Sequence, residues 1–197
     1  MKKSIIVVAL AILALLPAAR LSAQNKFELG GGYAPFFLVT ADDAVHIPYK
    51  VDAYFEWRYD FGNHWDVGAK LDYKTFPIQD FYSWEAGAII NGYQHFGAIL
   101  AVADFNLLPG KTVNPFIGLG LGPGFIVNHY TAIEYRYEEY IRPDFKPGFY
   151  PPWVFPVLVP KIGVELFHHL RLSTSVDCDL AMGDTRWPVC FNLGWVF

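Results

Sequence analysis

Along most of this chain, apolar and polar residues alternate with a period of two. In residues 50–61, Val51, Ala53, Phe55, Trp57, Tyr59 and Phe61 take one face, while Asp52, Tyr54, Glu56, Arg58 and Asp60 take the other. A Gly62-Asn63 turn follows. The next stretch sets Trp65, Val67, Ala69, Leu71 and Tyr73 against Asp66, Gly68, Lys70, Asp72 and Lys74. Successive side chains of a strand point to opposite sides, so the two stretches read as a β-hairpin with one apolar face. Residues 26–36, 97–107, 115–125, 160–167, 170–180 and 187–197 repeat the pattern with varying strength. The last of these ends on Val189, Phe191, Leu193, Trp195 and Phe197 at every second position. The count is eight strands.

The polar face of these strands decides between two all-β architectures. In a soluble sandwich the apolar face packs inward and the charged face meets water. Here the apolar face carries tryptophans near strand ends, and the other face mixes acids and bases with glycines. Trp65, Trp84, Trp187 and Trp195 fit the interfacial girdles of a membrane barrel. The lumen would then hold a complementary charge network, with Glu56, Arg58, Lys70, Asp72, Glu165 and Arg171 as its members. An eight-stranded barrel has an interior that side chains largely fill, so those charges must pair.

The N-terminus and the charge balance agree with a place in an envelope. Lys2 and Lys3 precede an unbroken apolar run over residues 5–16, Pro17 breaks it, and Leu21-Ser22-Ala23 supplies small residues for cleavage. This is a secretory signal peptide over 1–23, with cleavage before Gln24. Twelve apolar residues would span only about 18 Å as a helix, too short for a bilayer core. Removing Lys2, Lys3 and Arg20 from the fifteen basic residues leaves twelve against nineteen acidic ones, a net charge of −7 for 24–197. Such a surface does not suit nucleic acid, whose phosphates need basic partners.

Strand parity supplies a further constraint. With both termini on the periplasmic side a single-chain barrel needs an even number of strands. The short connections at Gly62-Asn63, residues 109–114 and His168-His169 then share one end. Longer ones at about 40–49, 76–93 and 126–158 share the other, together with the short 182–186. The stretch 81–96 leaves a choice: a loop with a strand extension, or an extra strand pair that would make ten strands. Eight is the first choice and ten the second.

The signal peptide, the stretch NPFIGLGLG (114–122), the hairpin PKIGVELFHHLRLSTSV (160–176) and the final strand ending in Phe197 resemble the outer-membrane β-barrel domain family. These are the small eight-stranded barrels of OmpX/OmpA type, with a Bacteroidetes flavour. The resemblance covers nearly all of 24–197 as a pattern, not as a catalytic signature. It implies an eight-stranded antiparallel up-and-down transmembrane β-barrel in the bacterial outer membrane of a Gram-negative cell. It also implies outer-membrane lipid and the barrel-insertion machinery as partners, with Phe197 as part of the insertion signal. The chain departs from OmpA-type proteins in showing no soluble peptidoglycan-binding domain.

Candidate chemistry is sparse. GLGLGPG (118–124) lacks the helix that a phosphate loop must open, and its glycines alternate with Ile and Leu as in a strand. Ser173, Ser175, Asp177 and Asp179 with His168 and His169 contain the ingredients of a hydrolase. Seven or eight strand residues, however, put the acids over about 20 Å from the histidines. The His168-His169 pair has no acidic or Cys neighbour in sequence to complete a metal site. Cys178 falls on the outward face and Cys190 on the inward one, a poor geometry for a disulfide without a bulge. No catalytic residue, cofactor or metal is assigned. The longest stretch outside the alternating strands, 129–155, offers Tyr135, Tyr137, Tyr140, Tyr150 and Trp153 as contacts for an extracellular glycan or protein ligand. Its first part also reads as a strand extension. The expectation is a structural or surface-interaction barrel with a plugged lumen; a small passive channel and a lipid-modifying enzyme are the alternatives.

Overall fold

The computed structural model describes residues 24–39, 51–62, 64–83, 88–135, 147–180 and 186–197. Strands β1 (Asn25–Val39), β2 (Val51–Asp60), β3 (Trp65–Ser83), β4 (Ala88–Asn106) and β5 (Val113–Tyr135) follow one another as an antiparallel meander. β6 (Gly148–Phe149) is a two-residue bridge against His129 and Tyr130. β7 (Trp153–Leu166), β8 (Leu170–Val176), β9 (Cys178–Asp179) and β10 (Arg186–Val196) complete the chain. β9 continues the line of β8 along β7 after an interruption at Asp177, and β6 pairs beside the outer part of β5. The ring therefore has eight staves.

Two ladders close it. β1 pairs with β10 from Glu28↔Val196 to Val39↔Arg186, and β5 pairs with β7 from Val113↔Leu166 to Ile126↔Trp153. Closure removes the free edges of the sheet and pairs its backbone groups internally. In the first hairpin the alternation read from sequence is the alternation in space. Asp52, Tyr54, Glu56, Arg58, Asp66, Lys70, Asp72 and Lys74 are buried, while Trp57, Trp65, Val67, Leu71 and Tyr73 are exposed.

The outer surface carries a continuous apolar band. Leu29, Leu71, Ile99, Ile117, Leu119, Leu121, Ile162, Leu172, Phe191 and Leu193 are all exposed. Trp57, Trp65 and Trp195 stand at its turn end, and Tyr33, Tyr73 and Tyr93 towards its loop end. From Trp65 to Tyr73 is eight residues, about 27 Å of strand, or about 21 Å of height at a 40° tilt. That is close to the apolar height of a transmembrane barrel, about 25 Å. Trp187, expected in the same girdle, is only partly exposed, and Trp84 lies outside the described residues.

Two boundary expectations are corrected. The connection expected at 76–93 is strand over its described residues: Phe76 to Ser83 pair with Ala88 to Gln94, with a bulge between Ile78 and Phe81. This stretch extends β3 and β4 rather than adding strands. Likewise β5 continues to Tyr135 and β7 begins at Trp153, so the connection expected at 126–158 shrinks from both sides. The β3–β4–β5 sheet thus rises beyond Thr75, where the pairing of β2 with β3 begins.

Candidate functional site

The interior is the most heavily built part of the molecule. Arg58, 0% exposed, donates to Glu28 at 2.8 Å and lies 3.3 Å from Glu56, 3.5 Å from Asp66 and 3.8 Å from Glu165. Arg171 reaches Glu28 at 3.1 Å and Asp104 at 2.9 Å. Lys161 bridges Glu56 and Asp104, each at 3.0 Å, and Lys26 pairs with Asp66 at 3.1 Å. Six strands, β1, β2, β3, β4, β7 and β8, contribute to this knot. It ties the barrel across its diameter, not only around its wall.

A second group lies further towards the loop end. Lys74, also 0% exposed, contacts Asp72 at 2.9 Å, Asp177 at 2.5 Å and Asp52 at 3.8 Å. Lys70 approaches Asp72 at 3.4 Å and sits 4.2 Å from the centre of the Tyr54 ring. Tyr54 in turn donates to Glu28 at 2.5 Å, linking the two groups. Taking these charges out of water is costly, and each is offset only by its partners.

Glycines make room for the knot. A Cβ at Gly118 would lie 2.1 Å from an Asp104 oxygen and 2.7 Å from Lys161 Cε. One at Gly30 would lie 2.3 Å from the Tyr54 ring. In GLGLGPG, Gly118, Gly120 and Gly124 thus admit opposing side chains, and Gly122 admits the β4 backbone at Ile99.

All six residues selected from sequence, Glu56, Arg58, Lys70, Asp72, Glu165 and Arg171, are buried in these two groups. Sequence reasoning left out Lys26, Glu28, Asp52, Lys74, Asp104, Lys161 and Asp177. Most occupy the same strand parity as the chosen ones, and that parity was the available signal.

Beside the charges stands an apolar cluster, also facing inward. Phe76, Phe96, Ala98, Leu100, Val102, Phe155, Val157 and Val159 are buried together, with Ile126 packed against them. It lines the β4–β5–β7 wall, and nothing in the sequence reading anticipated it.

The remaining candidates separate. His169 donates from Nδ1–H to the Val196 carbonyl at 3.0 Å and stacks on Trp195 with ring centres 5.5 Å apart. Ser175 accepts from Asn192 at 3.0 Å, and Asp177 is held by Lys74. These hydrolase ingredients therefore serve three different contacts. Cys178 and Cys190 are both buried and are not joined in a disulfide, and Cys190 Sγ approaches Asp177 at 3.9 Å. At the loop end Tyr150 packs on Tyr130 with ring centres 4.8 Å apart, His129 stacks on Phe149 at 4.1 Å, and Trp153 is 67% exposed. Tyr135 pairs with Ala88 through the backbone, and Tyr137 and Tyr140 lie outside the described residues.

Comparison with solved structures matches this geometry. Ail, the attachment invasion locus protein of Yersinia pestis, solved with the heparin analogue sucrose octasulfate, superposes with a TM-score of 0.52 at 13% identity. The match covers 88% of this chain and 99% of Ail. This is the fold of the small outer-membrane β-barrels. The Neisserial surface protein NspA matches with a TM-score of 0.50 and 8% identity, over 87% of this chain and 95% of NspA. No family model matches the sequence, and no curated protein does.

Proposed function

We propose that the chain is exported by the segment 1–23, cleaved before Gln24, and inserted into a bacterial outer membrane as a plugged barrel with a surface-interaction role. One observation carries this reading: the usual distribution of a folded protein is inverted. Arg58 and Lys74 are 0% exposed while Leu71 and Leu193 are each 54% exposed. Only an apolar surrounding makes that arrangement favourable, at roughly 25 cal/mol per Å² of apolar surface kept from water. Phe197 closes the lipid-facing row of β10 and would belong to the signal read by the insertion machinery.

The cross-lumen ion pairs support a barrel that does not conduct. A water path would have to run between groups that already touch across the diameter. Binding then falls to the loop end, where β3, β4 and β5 extend past β2 and, together with β6 and the start of β7, present Tyr93, Phe149, Tyr150 and Trp153. Aromatic surfaces of this kind suit a glycan or a protein partner. Ail, of the same fold, is known with a heparin analogue bound, which places a glycan among the partners to try.

The deciding experiment is planar-bilayer conductance of refolded 24–197, after heat-modifiable migration on a gel has established folding. A folded, silent barrel is the expected result. Discrete, stable conductance steps would overturn the plug and assign the channel reading.

A further inference from the structure

The loop end has two faces, and the strand registers assign its residues to one or the other. Phe76 lies beside Gln94 and Gln94 beside Asn128, while Lys74, Phe96, Ile126 and Trp153 form the row below. Phe76, Phe96 and the packed Ile126 belong to the inward cluster, so Gln94, Asn128 and Trp153 share the inner face. Tyr130 follows Asn128 on that face, and Tyr150 packs on its ring at 4.8 Å. The intervening positions face outward. There the Tyr73 hydroxyl meets His95 Nδ1 at 2.7 Å, and Phe149 stacks on His129 with ring centres 4.1 Å apart. Tyr93, directly opposite His129, is exposed on the same side. Tyr73, Tyr93 and Phe149 thus continue the outer apolar band, and the inner aromatic residues of the mouth are Tyr130, Tyr150 and Trp153.

The inner face combines amides with aromatic rings. Gln94 Nε2 donates to Asn128 Oδ1 at 3.1 Å, and the Asn128 side chain also hydrogen-bonds Tyr130. The Asn128 carbonyl accepts the Tyr150 backbone N–H at 2.9 Å, which fixes the bridge strand beside the amide pair. A glutamine and an asparagine side chain together offer four N–H donors and two acceptor oxygens, more than these contacts use. Trp153, 67% exposed, stands on β7 diagonal to Asn128, a separation of about 7–8 Å. Below them the Phe96 and Phe155 rings lie 6.1 Å apart, and Lys74 is held by Asp72 and Asp177. Above the Lys74 row, none of the described side chains of this face on β3, β4, β5 and β7 is charged.

We propose that this inner face is a saccharide subsite, which stacks one uncharged sugar ring on Trp153 and hydrogen-bonds its hydroxyls through Gln94 and Asn128. The subsite deepens the surface-interaction reading above and rests on it. A sugar ring presents C–H groups on its faces and hydroxyls around its edge. The negative face of an indole attracts the first, and planar amides both donate to and accept from the second. An apolar peptide segment would instead desolvate the two amides without pairing them. A sulfated or carboxylated glycan would meet no cation on this face, so the heparin analogue bound by Ail is not the chemistry expected here.

The test is calorimetric titration of the refolded protein in phospholipid nanodiscs, with folding of every variant checked by heat-modifiable migration. The uncharged probes are maltohexaose, cellohexaose and chitohexaose; a heparin octasaccharide and a tryptic digest of casein stand for the other occupants. The expected result is binding of an uncharged oligosaccharide and of neither alternative. Trp153→Ala should weaken it about tenfold, the value of one aromatic stacking contact, and Trp153→Phe should recover part of that loss. Asn128→Ala should weaken it about fivefold, the value of one hydrogen bond. Tyr93→Ala and Phe149→Ala, on the outer face, should leave the Kd unchanged. No binding by any of the uncharged probes, or a loss from Phe149→Ala equal to that from Trp153→Ala, would overturn the subsite. Binding of the heparin fragment or of casein peptides in their place would overturn the uncharged sugar while the surface-interaction role stands. Discrete conductance steps in the planar bilayer would instead strike the plugged-barrel reading on which the subsite rests.

Discussion

The two sides of the interior are built on different chemistry. The inward positions of β2 and β3 are Asp52, Tyr54, Glu56, Arg58, Asp66, Lys70, Asp72 and Lys74, nearly all charged. Across from them, β4, β5 and β7 present Phe96, Ala98, Leu100, Val102, Gly120, Gly124, Phe155, Val157 and Val159. The charged side holds the barrel by directional contacts that span the diameter. The apolar side fills space, on strands β4 and β7 that also send Asp104, Lys161 and Glu165 into the knot. Directional ion pairs and space-filling packing thus share one small ring.

The sharpest way to break this comparison is to remove the hub of the charged side. Arg58→Ala leaves Glu28, Glu56 and Asp66 short of their partner. An uncompensated buried charge costs about 3–5 kcal/mol, to be measured by reversible urea unfolding in phospholipid vesicles. On the apolar side Leu100→Ala opens a cavity instead, at roughly 2–5 kcal/mol. The two differ in what restores them. Arg58→Ala should recover part of its loss when Glu28→Gln is added, because the second change removes an orphaned charge. Leu100→Ala has no such suppressor. If Glu28→Gln made Arg58→Ala worse, the knot would not be held by charge balance.

The same contrast explains what could be read from the sequence. On β2 and the first part of β3, polar and apolar residues alternate strictly, so face, register and hairpin were all legible. The stretch 153–159 is apolar on both faces, with Phe155, Val157 and Val159 in the inner cluster, and 88–98 mixes Asn91, Gln94 and His95 with apolar residues without strict alternation. Period-two alternation vanishes where both sides want apolar residues. Pro156 adds a breaker residue inside 153–159. The charge network was legible as a parity, but its partners were not. Arg171 meets Glu28 and Asp104, which lie 143 and 67 residues away in the chain, and only barrel closure brings them together.

A smaller effect tests inside against outside at neighbouring positions of β10. Leu193 is exposed in the apolar band, and Asn192 is buried and donates to Ser175 at 3.0 Å. Leu193→Arg should destabilise the barrel by about 2–4 kcal/mol in bilayers. Asn192→Ala loses one interior hydrogen bond and should cost about 1 kcal/mol. Repeating both in a thinner bilayer sharpens the result, since the Leu193→Arg penalty depends on depth while the Asn192→Ala penalty does not. Equal penalties in every bilayer would mean that β10 does not face lipid at Leu193.

The smallest expected change lies at the turn between β7 and β8, on the closed, charged end. His169 donates its backbone N–H to the Leu166 carbonyl at 3.1 Å, and the two central residues both have positive φ, 54° at Phe167 and 65° at His168. That is the left-handed conformation of a type I′ hairpin turn, which favours Asn-Gly over a bulky aromatic. Replacing Phe167→Asn together with His168→Gly should therefore stabilise the barrel by about 1 kcal/mol, provided the turn serves only to connect. His169 is left in place, so its contact with the Val196 carbonyl and its stacking on Trp195 persist. Phe167 is 66% exposed and stands two residues before His169, which stacks on Trp195, so an interfacial anchor is the second role to test for its ring. The two roles predict opposite signs in two media. In detergent the double variant should be more stable. In bilayers the lost anchor offsets the relieved backbone, and the gain should shrink or reverse. A gain of the same size in both media would show that Phe167 does not reach the membrane surface, and that the turn end stands clear of the bilayer.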